Sequence, residues 1–121
     1  FICCMKVIID NNIFKVKLCT TPKSIQEGMM GKNFDDTFNG MLFFLPPGEQ
    51  SFWMYNCIVP LDIIMINGNE ITDIHHNCQP CENMGECDSY KGFGDSVLEI
   101  PGGYCENNDI KKGDRVSFSM Y

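Results

Sequence analysis

Hydrophobic and polar positions along the chain alternate in short runs that are cut by turn residues. "MKVIID" and "IFKVKL" flank Asn11-Asn12, which predicts a hairpin, because asparagine tolerates the positive φ of a tight two-residue turn. In the second arm Phe14, Val16 and Leu18 alternate with Lys15 and Lys17, giving one buried face and one wet face. "TTPKSIQEGMM" predicts a helix with Thr21 as N-cap and Pro22 at the first helical position, kept short by Gly28 and Gly31.

"GMLFFL" (40–45) is an unbroken apolar run, as expected of a fully buried strand, and Pro46-Pro47-Gly48 closes it with a turn. "QSFWM" and "LDIIMI" predict two further strands, and Asn67-Gly68-Asn69 turns the second of these into "EITDIH". Residues 77–94 then form a long loop rich in cysteine, glycine, asparagine and acids. "SVLEI" is a strand, Pro101-Gly102-Gly103 breaks it, and "YCENNDI" makes one helical turn. Lys112-Gly113-Asp114 leads into a last strand, "RVSFSM". Seven to eight short strands with one or two short helices predict a mainly β fold, a compact β-barrel-like or sandwich domain. No repeat or linker divides residues 1–121, which read as one domain.

Composition supports that picture and narrows the partners. The chain of 121 residues contains no alanine, the best helix former, and a single arginine, Arg115. Its net charge is −7, and residues 67–109 hold nine acids against one base, Lys91. Nucleic acid is therefore excluded as an expected partner, since phosphate binding requires clustered lysine and arginine. No apolar run approaches the roughly 20 residues of a membrane-spanning helix, so no integral membrane segment is expected and the chain reads as soluble. Phe1–Cys4 precede an ordinary-looking Met5-Lys6 start and read as upstream of the natural start or as a leader remnant.

Among residues that could carry chemistry, Asp62 stands out. A period of two puts Asp62, Ile64 and Ile66 on one face of the strand and Leu61, Ile63 and Met65 on the other. Both faces are apolar, which predicts a central strand and a buried carboxyl that must be paired, hydrogen-bonded or protonated. Two roles fit: a general acid/base or ligand anchor, or a structural carboxylate that accepts backbone amides from the 55–60 loop. Beside it lie Trp53, the only tryptophan, with Tyr55 and Asn56. Together these could border a small-ligand pocket, or Trp53 could fill the core while Asn56 forms a turn. Nucleophilic catalysis by Cys57 is poorly supported, because no spacing ties it to His75 or His76.

"HHNCQPCENMGEC" (75–87) concentrates metal-ligating side chains. His76, Cys78, Cys81 and Cys87 form one conceivable local site, but a structural zinc site generally draws two close pairs from separate turns, and the second pair is missing. No metal and no cofactor is expected.

Gly28-Met29-Met30, Gly40-Met41-Leu42-Phe43, "SFWMYNCIVPLDI" (51–63), Pro80-Cys81, Cys87, Tyr90, "VLEIP" (97–101), Gly103 and Gly113-Asp114 follow one another in an order that resembles the prokaryotic domain-of-unknown-function family 192. The resemblance runs from Thr21 to Val116. It implies a compact, mainly-β barrel-like or sandwich domain, frequently exported in bacteria, with no established activity. The chain departs from the pattern where Tyr55 replaces a usual lysine, Cys57 a threonine, Lys32 an arginine, and Pro101-Gly102 small residues. Cys81 and Cys87 fall on the family's Pro-Cys…Cys, which implies a Cys81–Cys87 disulfide if the chain is exported, and free thiols if it is cytoplasmic. Cys78–Cys105 is a weaker second pairing.

The expected function is thus a small non-enzymatic binding or accessory domain with a ligand site near Trp53, Tyr55, Asn56 and Asp62, without catalytic residues, its partner a small molecule or a protein. The alternatives are an enzyme that uses Asp62 as acid/base, a metal held by the 75–88 loop, and a self-association module.

Overall fold

The structure is a computed structural model and describes residues 5–120. The reading of Phe1–Cys4 falls outside the described residues. Seven strands, β1 (Met5–Ile9), β2 (Asn12–Cys19), β3 (Gly40–Phe52), β4 (Leu61–Asn67), β5 (Glu70–Cys78), β6 (Tyr90–Pro101) and β7 (Val116–Met120), form one sheet in the order β5-β4-β6-β3-β2-β1-β7. Two short helices, α1 (Pro22–Glu27) and α2 (Tyr104–Asn107), complete the fold. It is mainly β, as expected, and of the two expected architectures it is the barrel-like one: a single sheet curled into a half-barrel.

Two cores show the curl. On one face, Val7 and Ile9 of β1 and Phe14 and Val16 of β2 pack in one buried cluster with Ile64 and Ile66 of β4 and Leu98 and Ile100 of β6. β1 and β4 stand four places apart in the sheet, so they share a core only because the sheet bends around it. At one end the two edges meet: the Glu70 and Arg115 backbones pair in an isolated antiparallel β-bridge, and the Val116 amide donates to the Asn69 carbonyl at 2.7 Å. The other face carries a second cluster, with Met41 and Phe43 of β3, Leu61, Ile63 and Met65 of β4, and Val97 of β6. β2 and β3 are parallel, so the chain between them must cross over the sheet. That crossover holds α1 and residues 28–39, and it covers the second cluster with Met29 and Phe38.

Local signals placed most elements. Thr21 caps α1 by accepting from the Ser24 amide, with Ser24 returning the bond to the Thr21 amide, and Pro22 opens the helix. Three expectations need correction. The first hairpin turns on Asp10-Asn11, because Ile9 pairs with Asn12; Asp10 takes the positive φ (54°). Asn12 instead bonds back to the Ile9 carbonyl and accepts from the Tyr104 hydroxyl.

Pro46-Pro47-Gly48 does not end its strand either. β3 runs on to Phe52 through an irregularity between Phe44 and Gly48, and the Gln50 carboxamide donates to the Pro46 and Gly94 carbonyls there. Finally, residues 77–94 are largely strand: β5 extends to Cys78 and β6 starts at Tyr90. Tyr90–Gly94 pairs with Gly48–Phe52, and Gly94 lets β4 approach closely on the other side, since a Cβ there would overlap the Ile66 backbone.

Candidate functional site

The strands of the second core set up the site. β6 pairs with β3 on one side and β4 on the other, with Glu99 opposite both Met41 and Ile63. Val97 and Glu99 therefore point to the crossover face, while Leu98 and Ile100 point into the barrel. Above Glu99 lies a cavity of about 240 Å³, bounded by the end of α1, the far half of β3 and residues 53–57. Glu99 is only 3% exposed and lines its floor. Gly28 keeps the roof close: a Cβ at this position would lie 3.2 Å from the Phe43 ring and 3.9 Å from Glu99 Oε1, and its φ is +45°.

No hydrogen bond or ion pair reaches the Glu99 carboxyl among the described residues. Buried carboxyls are nearly always partnered, so this one is an exception that calls for a cause. Burial alone pushes its pKa up to about 8, and near neutrality it is mostly protonated. Three thiols share its surroundings. Burial pushes Cys19 up to about 11, and Cys57 and Cys78 up to about 12, with the Glu99 charge adding to each shift.

Trp53 and Tyr55 form a wall of the cavity, their rings 5.1 Å apart, and Trp53 remains 36% exposed at the rim. Asn56 does not line it. With φ of 59°, Asn56 acts through its backbone, donating to the Cys81 carbonyl and accepting from the Gly31 amide. The Cys81 amide in turn donates to the Met54 carbonyl. The aromatic wall is thereby hydrogen-bonded on one side to residues 29–31 and on the other to the cysteine loop.

Asp62 lies on the opposite face, away from the cavity. Its fully buried carboxyl accepts the amides of Asn77 (2.7 Å) and Gly103 (2.9 Å) on one oxygen and of Cys105 (2.8 Å) on the other. These donors come from the end of β5 and the start of α2, not from the 55–60 loop. Gly103, the N-cap of α2, has no side chain to satisfy the free amides there, and Asp62 does so from the sheet.

In the 75–87 stretch, Cys81 and Cys87 lie at disulfide distance, with Cα atoms 5.7 Å apart, and enclose a 3₁₀ turn at Met84–Glu86. Cys78 is buried in the second core and Cys105 in the barrel core; both are free thiols, so the weaker Cys78–Cys105 pairing is not formed. His76, Cys78, Cys81 and Cys87 do not converge, and no cluster of metal-ligating side chains occurs among the described residues. His75 is partly exposed on β5, with Nε2 2.7 Å from the Lys91 carbonyl and its ring against Tyr90.

Glu99 is the candidate-site residue, lining the cavity, that sequence reasoning missed. The signal was present, since a lone acid in "SVLEI" breaks an apolar run in the same way as Asp62 in "LDIIMI".

This arrangement, a half-barrel with a covered pocket on its convex face, defines a small mainly-β domain. The chain belongs to the domain-of-unknown-function family 192 (DUF192, "Uncharacterized ACR"), whose model matches residues 5–118. It is similar to a solved protein of unknown function from Novosphingobium aromaticivorans, at 30% identity and a TM-score of 0.79, over 94% of this chain and 83% of that one. It is also similar in fold to a putative transcription regulator from Sinorhizobium meliloti, at 24% identity and a TM-score of 0.81, over 94% of this chain and 91% of the other. No curated protein matches the sequence. No helix among the described residues is long and apolar enough to cross a membrane.

Proposed function

We propose that the domain binds a small organic molecule in the cavity under α1, with a polar group of the ligand seated against Glu99. The observation that carries this reading is the buried, unpartnered carboxyl on the floor of an aromatic-walled cavity. A binding site of this kind combines apolar walls with a few fixed polar groups. Trp53 and Tyr55 belong to that site; Asn56 supports it through the backbone, and Asp62 holds the fold together on the other face.

Trp53 is the only tryptophan and stands at the rim, so its fluorescence reports on the cavity. In a screen of small amines, alcohols and acids, binders are expected to shift its emission and to move the amide resonances of residues 28–30, 51–57 and 99. Binders whose shifts fall elsewhere, or no binders at millimolar concentration, would overturn the reading. Conversion of a bound probe would move it to the alternative of an acid/base enzyme, with Glu99 in place of Asp62.

The cysteine pair favours an oxidising compartment. Alkylation and mass measurement of the protein from its native cells test this: the reading requires that Cys81 and Cys87 escape alkylation until a reductant is added.

A further inference from the structure

We infer that the ligand is a primary ammonium on a short apolar body, its cationic head seated against Glu99 and its body against Trp53, Tyr55 and Phe43. This rests on the reading that the cavity is a small-molecule site and adds the sign of the ligand's charge.

Three observations select a cation. First, the Glu99 carboxyl offers only acceptor positions once ionised, and among the described residues no donor reaches any of them. A ligand rich in N–H donors completes what the fold leaves open. Second, no lysine, arginine or histidine lines the cavity, whereas Glu27 and Glu99 both do. An anionic ligand would be buried beside a carboxyl without a counter-charge. Third, Phe43, Phe52, Trp53 and Tyr55 line the cavity, and the faces of aromatic rings attract cations. The volume of about 240 Å³ lies below the range of drug-sized sites and suits a small amine.

Seating the ammonium requires Glu99 to lose its proton: the carboxylic acid and R–NH3+ become a carboxylate–ammonium pair, and one proton leaves to solvent. Other ionisable groups approach Glu99 from each element packed there. They are Cys19 on β2, Cys57 after the aromatic wall, Cys78 on β5, Glu27 on α1 and Lys32, whose Nζ donates to the Gly28 carbonyl. Burial holds the three thiols neutral up to about 11, so they do not titrate between about pH 6 and 8.

The test is calorimetry and Trp53 fluorescence with 2-phenylethylammonium, 2-phenylethanol, 3-phenylpropanoate and Nα-acetyl-lysine methylamide, on the wild type and Glu99→Gln. Folding of the variant is checked by circular dichroism. 2-Phenylethylammonium is expected to bind at least about tenfold tighter than 2-phenylethanol, and 3-phenylpropanoate not at all. Its affinity should rise about tenfold per pH unit from about pH 6 toward 8, with release of one proton in buffers of different ionisation enthalpy. Glu99→Gln should remove the preference while 2-phenylethanol still binds. The lysine derivative separates the two sources of the head group: if it binds as tightly as the free amine, the natural ligand is a protein side chain.

Equal or tighter binding of 2-phenylethanol by the wild type, or an amine preference that survives Glu99→Gln, would overturn the inference and leave the pocket standing. If none of the four probes perturbs Trp53 or the cavity amides, the pocket reading falls with it.

Discussion

Asp62 and Glu99 lie one register step apart across the β4–β6 pair, yet on opposite faces of the sheet: Asp62 pairs with Ile100, and the next residue, Ile63, pairs with Glu99. Both carboxyls are buried. Asp62 accepts three backbone amides, whereas Glu99 accepts none among the described residues. One acid is built into the fold by its hydrogen bonds, and the other lines the cavity without a partner among the described residues.

Asp62→Asn should destabilise the domain by about 3 kcal/mol. The substitution turns one acceptor into an NH2 group that faces backbone donors, and it removes charge-assisted bonds from the start of α2. Urea unfolding measures the loss, and amide exchange should show residues 103–107 opening first. A variant as stable as the wild type would mean that these bonds contribute little.

Glu99→Gln should do the opposite, increasingly so as pH rises above about 4.5. Burial raises the folded-state pKa to about 8 from the ordinary 4.5. Between those values the unfolded chain has lost its proton while the folded protein keeps it. Stability therefore falls as pH rises through this window and levels off above about 8. The variant removes that fall. It should match the wild type near pH 4 and exceed it by roughly 5 kcal/mol near pH 9, as read from urea midpoints across pH.

Reduction of the Cys81–Cys87 pair should cost about 2 kcal/mol, as chain entropy predicts for so short a loop. The effect should reach the cavity, because Cys81 exchanges hydrogen bonds with Met54 and Asn56 on either side of Tyr55. With reductant, the Asn56 amide should exchange faster and the Trp53 emission should change. Cys81→Ser with Cys87→Ser should reproduce both effects; unchanged emission in either would uncouple the loop from the aromatic wall.

Gly94→Ala should destabilise by about 1–3 kcal/mol, although Gly94 sits in a strand where alanine is otherwise the better residue. The added methyl meets the Ile66 carbonyl, a backbone atom that cannot rotate away. Gly31→Ala meets no atom within 4 Å, but its φ of +67° disfavours alanine, so a smaller loss is expected there, from backbone strain alone. Denaturation of both variants separates steric overlap from strain.

Much of the architecture was legible because it is set by neighbours in the chain. The capped start of α1, the alternation in β2 and the two apolar faces of β4 all follow from side chains a few residues apart. The same local rules misplaced the first turn by one residue, ended β3 at Pro46 and assigned the start of β6 to a loop. In the latter two cases long-range pairing between Gly48–Phe52 and Tyr90–Gly94 overrides the local signal, and proline and glycine serve as a strand irregularity and a close approach.

The candidate site divides along the same line. The sequence pointed to a buried Asp62 and set Trp53 and Tyr55 side by side, and the family resemblance implied a Cys81–Cys87 disulfide for an exported chain; the structure brings those two cysteines to disulfide distance. The sequence could not say which carboxyl faces a cavity, since a strand with two apolar faces presents the same pattern whichever side is filled. Only the crossover of α1 above one face, and the arrival of α2 and the end of β5 at the other, decided that. They gave Asp62 its three amides and left Glu99 with none among the described residues.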